Sequence, residues 1–230
     1  MVMWNARQLI EAVIQLDSVV VIKVLTRVVP SLVGKGLTTE EIVSALDDAL
    51  EPHGITFRPK FVNGQQSLNY DELMANIVGG QLTDDGHAIV NYDMERGLEA
   101  IFDGEDPSQV KDFLTAVRNI IDHEFIHREQ LSRSNWLARG SDPQNTVQYL
   151  ANPAEAMAMA RQAANQFVQL GYKPAQVLQL LRSPWKKQDG VPDRGESDIF
   201  WNYTEHFDGS DKDFRRFIQY MTSYLTHYER

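Results

Sequence analysis

The sequence has no cysteine and few basic side chains relative to acidic ones, so that its formal net charge is −10 over 230 residues. Without cysteine there is neither a disulfide framework nor a thiolate metal site, and any protein ligand to a metal must come from histidine, aspartate or glutamate. The shortage of lysine and arginine argues against nonspecific binding to DNA or RNA, which depends on neutralising phosphates. We therefore expect no nucleic acid partner.

An uninterrupted hydrophobic run is also missing. The most apolar stretch, residues 9–33, contains Glu11, Asp17, Lys23 and Arg27, which a helix in contact with lipid would tolerate poorly. These charges, and the lack of a clear small-residue cleavage site, also distinguish the N-terminal region from a secretory signal. We expect no membrane partner and a cytoplasmic protein.

Composition and hydrophobic periodicity predict a mostly helical α+β protein with a small sheet. Hydrophobic residues make up 43% and charged residues 23% of the chain, which is typical of a globular protein. Its length favours a single domain over residues 1–230, with residues 1–54 as a candidate helical N-terminal subdomain.

The pattern of apolar residues and of turn-forming residues gives the order of the elements. The β-branched run at residues 19–22 would suit a buried strand as well as a helix. Loops are expected at residues 132–148 and 183–198, and a turn at Asn63-Gly64. Helices are predicted at residues 6–29, 39–50, 70–78, 94–102, 106–131, 152–171, 174–181 and 211–227, and strands at residues 55–62 and 88–92.

The central predicted helix contains His123-Glu124-x-x-His127. Two residues that are four positions apart lie one turn apart on the same face of a helix, so both imidazoles can point at one ion. At 100° per residue, Glu124 falls among the apolar positions of the helix and the two histidines fall at their edge. This pattern is a zinc metalloprotease signature in which the glutamate is the general base.

A catalytic zinc ion usually has three protein ligands and one position left for water, so a third ligand is needed. We predict Glu155, which lies 28 residues after His127 at the start of the next long helix. A second interpretation stays open, because Asn152-x-x-Glu155 has the spacing of a capping box in which the glutamate would bind its own helix end. The two histidines could likewise make ordinary hydrogen bonds near Glu124.

Together, the pentapeptide and the helix carrying Glu155-Ala156-x-Ala158 resemble the gluzincin branch of zinc metallopeptidases. The resemblance implies a zincin-like fold, a zinc ion held by His123, His127 and Glu155, and Glu124 as the residue that activates water. The metzincin branch is excluded, because the residues that follow His127 lack its glycine and third histidine.

A narrower resemblance covers residues 120–160. The segment Tyr149-Leu150-Ala151-Asn152-Pro153-Ala154-Glu155 is similar to one found in small HExxH proteins encoded by tailed phages. This resemblance implies an alternative function, that of a phage virion or assembly protein whose metal site is structural or inactive, with phage structural proteins as partners. It also implies a location in the host cytoplasm or in the virion.

The function predicted from the sequence is that of a zinc-dependent metallopeptidase that hydrolyses peptide bonds in a peptide or protein substrate. Limited cleavage of a host protein is a further hypothesis. The sequence does not identify the group that stabilises the developing oxyanion, a role open to Tyr149, Tyr203 or His206 if the fold brings one of them near.

Overall fold

The structure, a computed structural model, describes residues 6–61, 75–132, 146–182 and 197–228. Its backbone divides into two compact units, residues 1–132 and 133–230. The prediction of a mostly helical α+β protein is confirmed, since the described elements are helices and one small mixed sheet. The predictions of a single domain and of a subdomain at residues 1–54 stay predictions.

The first unit contains four α-helices, one 3₁₀ turn and three strands among its described residues. The 3₁₀ turn, Glu51–His53, follows the second helix directly. The helices are α1 (Ala6–Leu32), α2 (Thr39–Leu50), α3 (Glu99–Phe102) and α4 (Pro107–Ser132), and the strands are β1 (Ile55–Lys60), β2 (Ile77–Leu82) and β3 (Ala88–Asp93).

The sheet has the order β1-β3-β2, with β1 parallel and β2 antiparallel to β3. The central strand β3 is buried along most of its length, and α4 packs against β2 and β3. The helix contributes an apolar face to the core of this unit, as its periodicity predicts. Fully buried residues of that core include Leu46, Phe57, Val90, Phe113, Val117 and Ile121.

The second helix shows how local sequence fixes an element. Thr38 accepts a hydrogen bond from the Glu41 N–H, and the Glu41 carboxylate accepts one from the Thr38 N–H, which together form a capping box. Ile42, Leu46 and Leu50 then fall on one buried face. The helix predicted at residues 39–50 is confirmed.

Two of the predicted helices differ from the structure. Ile77 and Val78 were expected at the end of a helix but begin β2. Asn76 has a left-handed φ of 52°, which ends any helical turn before them. Pairing with β3 then determines their extended conformation. The helix predicted at residues 94–102 is shorter in the structure and covers only Glu99–Phe102. Gly97 has a φ of 63°, which is incompatible with a right-handed α-helix.

The second unit contains five helices among its described residues, and its core is aromatic and rich in alanine. Small residues along the second of these helices allow the last helix to pack closely against it. The helices are α5 (Thr146–Ala151), α6 (Pro153–Gln169), α7 (Pro174–Leu180), α8 (Asp198–His206) and α9 (Lys212–Tyr228). Sequence periodicity missed α8, which begins after the cap residue Ser197.

Several predictions fall on parts of the chain that the structure does not describe. They are the turn at Asn63-Gly64, the first residues of the helix predicted at 70–78, and most of the loops predicted at 132–148 and 183–198. Among the described residues, none of the helices combines the length and the apolar character needed to cross a membrane.

Candidate metal centre

His123 and His127 lie one turn apart on α4 and are both buried, with 8% and 6% of their surface exposed. Their Nε2 atoms are 2.9 Å apart, and the planes of the rings meet at 75°. Two nitrogens bound to one tetrahedral zinc ion would be about 3.3 Å apart, given zinc–nitrogen bonds of about 2.05 Å. The helix therefore brings the two nitrogens to nearly the separation that a shared ion requires.

The other ring nitrogen of His127 is also engaged. His127 Nδ1 lies 2.9 Å from Gln130 Oε1, a distance at which the imidazole N–H donates to the amide oxygen. With the proton held on Nδ1, the lone pair is on Nε2, the nitrogen that faces His123. Metal-ligating histidines typically have such a partner, which fixes both the tautomer and the ring orientation. Gln130 thus prepares His127 to bind a cation.

Glu124 is 5% exposed and lies beside Gly80 of β2. A methyl group placed on Gly80 would lie 2.6 Å from Glu124 Oε1 and 2.5 Å from Ile120 Cγ2, so a larger residue requires these side chains or the strand to move. The close approach follows a bulge in β2, where one extra residue separates Ile77 from Gly80 and Gly79 takes a φ of 111°. The bulged strand therefore limits where the Glu124 carboxylate can lie.

Glu155 lies in the first turn of α6 and its Oε2 atom is buried. The cap of this helix is Asn152, whose Oδ1 accepts from the Ala154 N–H at 2.9 Å. The Asn152 N–H, which a capping box would direct to Glu155, donates to the Tyr149 carbonyl at 3.1 Å. These contacts favour the ligand interpretation of Glu155 over the capping one.

His123, His127 and Glu155 form a group in which one ligand atom from each side chain lies within 4.8 Å of the other two. Two imidazoles and a carboxylate are ligands that a catalytic zinc ion commonly has. The three side chains that we predicted as ligands from the sequence thus form a group that could hold a metal ion.

Tyr203, one of the groups considered for oxyanion stabilisation, is fully buried in the second unit. Its hydroxyl donates to the Leu150 carbonyl at 2.9 Å, and its ring stacks on Phe217 with centroids 3.7 Å apart. Burial raises the pKa of Tyr203 well above its usual range, and the negative charge of Glu155 adds to that shift. In this arrangement the hydroxyl proton binds the backbone, so Tyr203 is a structural donor.

A separate cleft of about 440 Å³ lies in the first unit beside Arg128. The Arg128 guanidinium lies 3.6 Å from the centre of the Phe125 ring and donates to the His53 carbonyl at 3.4 Å. His53 and His87 line this cleft, and neither belongs to the metal-binding group found among the described residues. His87 lies in an exposed loop, whereas His53 is half-buried at the end of the 3₁₀ turn.

Sequence reasoning missed Gln130 and Gly80. The contact between Gln130 and His127 could have been predicted, because a residue three positions after His127 lies on the same side of the helix. Gly80 was expected just after the helix predicted at residues 70–78. Its contact with Glu124 depends on the bulge of β2, which the pattern of apolar residues does not reveal.

Comparison with known proteins adds no relative. The chain matches no protein-family model, no curated protein and no solved structure.

Proposed function

We propose that this protein is a zinc-dependent peptidase, in which His123, His127 and Glu155 hold the ion and Glu124 is the general base. The observation that carries the proposal is the grouping of these three ligands with a buried glutamate on the same helix as the two histidines. The likeness of the motif to gluzincins supports the choice of zinc and of peptide hydrolysis.

The proposed ligand set leaves one coordination position of the metal ion open. Three protein ligands leave a fourth position on a tetrahedral ion for water or substrate, whereas structural zinc sites usually have four protein ligands. A bound zinc ion supplies Lewis acidity, which lowers the pKa of a coordinated water to roughly 7 and polarises a carbonyl oxygen. An open ligand set therefore favours a catalytic site over a purely structural one.

Glu124 would carry the protons of the reaction. Its carboxylate takes a proton from the attacking water as the water oxygen bonds to the peptide carbonyl carbon, and then delivers that proton to the leaving nitrogen as the C–N bond breaks. The close contact with Gly80 restricts the carboxylate to a narrow range of positions, as a base in a preorganised site requires.

The decisive experiment combines metal content with hydrolysis of a peptide library. Glu124→Gln keeps the size and burial of the side chain but removes the base, so we expect zinc content to stay near the wild-type value while the rate falls by about 10²-fold or more. Glu105→Gln, an exposed position ahead of the same helix, is the matched control and should keep wild-type activity.

Equal rates for Glu124→Gln and the wild type would exclude the general-base assignment. A wild-type protein that binds zinc tightly and cleaves no peptide would favour the alternative, a phage virion or assembly protein in which the ion is structural. Stable copurification with virion proteins would strengthen that alternative.

A further inference from the structure

The corner between α5 and α6 leads directly to Glu155 and has an unusual set of backbone hydrogen bonds. Within a continuous helix, the carbonyl of residue i accepts from the N–H of residue i+4. Pro153 has no N–H, so the Tyr149 carbonyl accepts from the Asn152 N–H. The Ala154 N–H, which would serve the Leu150 carbonyl, binds the Asn152 side chain. The Leu150 carbonyl therefore requires a donor from elsewhere.

Tyr203 supplies that donor. Its hydroxyl reaches from α8 to the Leu150 carbonyl at 2.9 Å, in a part of the core where both partners are buried. Its ring is fixed by stacking on Phe217 at 3.7 Å between centroids, with the planes 10° from parallel. Arg216 adds a longer contact from α9, its Nη1 lying 3.4 Å from the Ala151 carbonyl. Two other helices thus hold the end of α5.

A backbone corner held in this way determines where Glu155 lies. Only a few residues separate Leu150 from the ligand, and they include Pro153, whose ring fixes φ near −65°. Asn152 caps α6 and leaves little freedom at the junction. A displacement of the Leu150 carbonyl is therefore passed to the first turn of α6 instead of being absorbed by a flexible loop.

We propose that Tyr203 is a positioning residue for the metal ligand Glu155, acting through the Leu150 carbonyl and the rigid corner that follows it. The inference rests on the proposed metal site. It gives Tyr203 a role in metal affinity, without contact with the ion or with substrate. A buried carbonyl that loses its donor is costly, so removal of the hydroxyl should shift the corner toward a new partner.

The test measures zinc affinity by competition with a chromophoric chelator at 25 °C, with circular dichroism to confirm that each variant is folded. Tyr203→Phe keeps the stacked ring and removes only the hydroxyl. We expect its zinc affinity to fall by roughly tenfold, the lower end of the effect of residues that orient metal ligands. Tyr220→Phe, a half-buried tyrosine on α9, is the control and should bind zinc as the wild type does.

A double variant separates positioning from general destabilisation. If Tyr203 acts through Glu155, then Tyr203→Phe should not change the residual zinc affinity of Glu155→Ala further. An equal loss in both backgrounds, or a Tyr203→Phe affinity within twofold of wild type, would overturn the inference.

The two proposals fail in different ways. A wild-type protein that binds no zinc contradicts both the metal site and the positioning role, whereas tight wild-type binding that Tyr203→Phe leaves unchanged contradicts the positioning role alone. If Tyr203→Phe does not fold, Arg216→Gln tests the same corner, and unchanged zinc affinity in that variant would overturn the proposed support of Glu155.

Discussion

Both ring nitrogens of His127 have a polar neighbour. Its Nε2 faces the Nε2 of His123 at 2.9 Å, and its Nδ1 is held by Gln130 at 2.9 Å. The second contact selects the tautomer that leaves a lone pair on Nε2, the nitrogen that would bind the proposed ion. The histidine pair follows from the sequence alone, whereas the role of Gln130 required the side-chain geometry.

Removal of the Gln130 amide should therefore weaken metal binding without removing a ligand. For Gln130→Ala we expect zinc affinity to fall by about tenfold, as measured by isothermal titration calorimetry. Gln109→Ala, near the start of the same helix, is the control for loss of a glutamine side chain. An affinity for Gln130→Ala equal to that of Gln109→Ala would show that the tautomer of His127 does not depend on Gln130.

The contact between β2 and α4 connects the sheet to Glu124, the proposed general base. A methyl group on Gly80 would meet Ile120 and Glu124 at 2.5 and 2.6 Å. Relief of this overlap must move the side chains or the strand, at a cost of about 1–3 kcal/mol. We predict that Gly80→Ala keeps most of its zinc but loses peptidase activity, because Glu124 is displaced.

The measurement for Gly80→Ala is zinc content together with the rate of peptide hydrolysis. Gly36→Ala is a useful comparison, since a methyl group there meets no atom within 4 Å and its cost is the strain of a φ of 64°. A Gly80→Ala protein with wild-type hydrolysis would contradict the idea that the bulged strand positions Glu124.

The hydrogen bonds between Glu99 of α3 and Thr39 of α2 should make the stability of the fold depend on pH. Glu99 accepts hydrogen bonds from the side chain and the backbone N–H of Thr39, and the hydroxyl bond is the main reason that its pKa lies below the usual value. A depressed pKa in the folded state means that this carboxylate stabilises the fold above its unfolded pKa, and that the stabilisation is lost as the pH falls through the folded pKa.

Glu99→Gln should therefore lower the free energy of unfolding at neutral pH by less than about 1 kcal/mol, since Glu99 is exposed and solvent screens its charge. The difference from wild type should vanish in acid, below the folded pKa of Glu99. Urea unfolding at a series of pH values measures it, with Glu95→Gln as the exposed control. A difference that persists unchanged in acid would contradict a charge-dependent link.

The success of sequence reasoning differed between elements for physical reasons. Helices α2, α4 and α6 carry their own signals, namely caps, apolar stripes and a proline at the first turn, and were predicted closely. Strand β2 was mistaken for a helix end because its conformation comes from pairing with β3 and from a left-handed Asn76. The spacing and the resemblance predict Glu155 as a ligand, whereas the hydrogen bond from Tyr203 to the nearby Leu150 carbonyl joins residues that are distant in sequence.

Metal binding should stabilise the folded chain, because the three proposed ligands are brought together only by folding. At a free zinc concentration of 100 times Kd, the gain is about 2.7 kcal/mol. For a chain of this size that corresponds to a rise in Tm of roughly 5–10 °C. Differential scanning calorimetry with zinc and with chelator measures it, and Glu155→Ala should lose most of the rise.

The metal content of the protein, purified without chelator and dialysed against trace zinc, tests whether His123, His127 and Glu155 hold one metal ion. Atomic emission should find about one zinc ion per wild-type chain, and the content should fall sharply in His123→Ala. A wild-type protein with no bound zinc, or a His123→Ala protein that retains a full equivalent, would contradict the account.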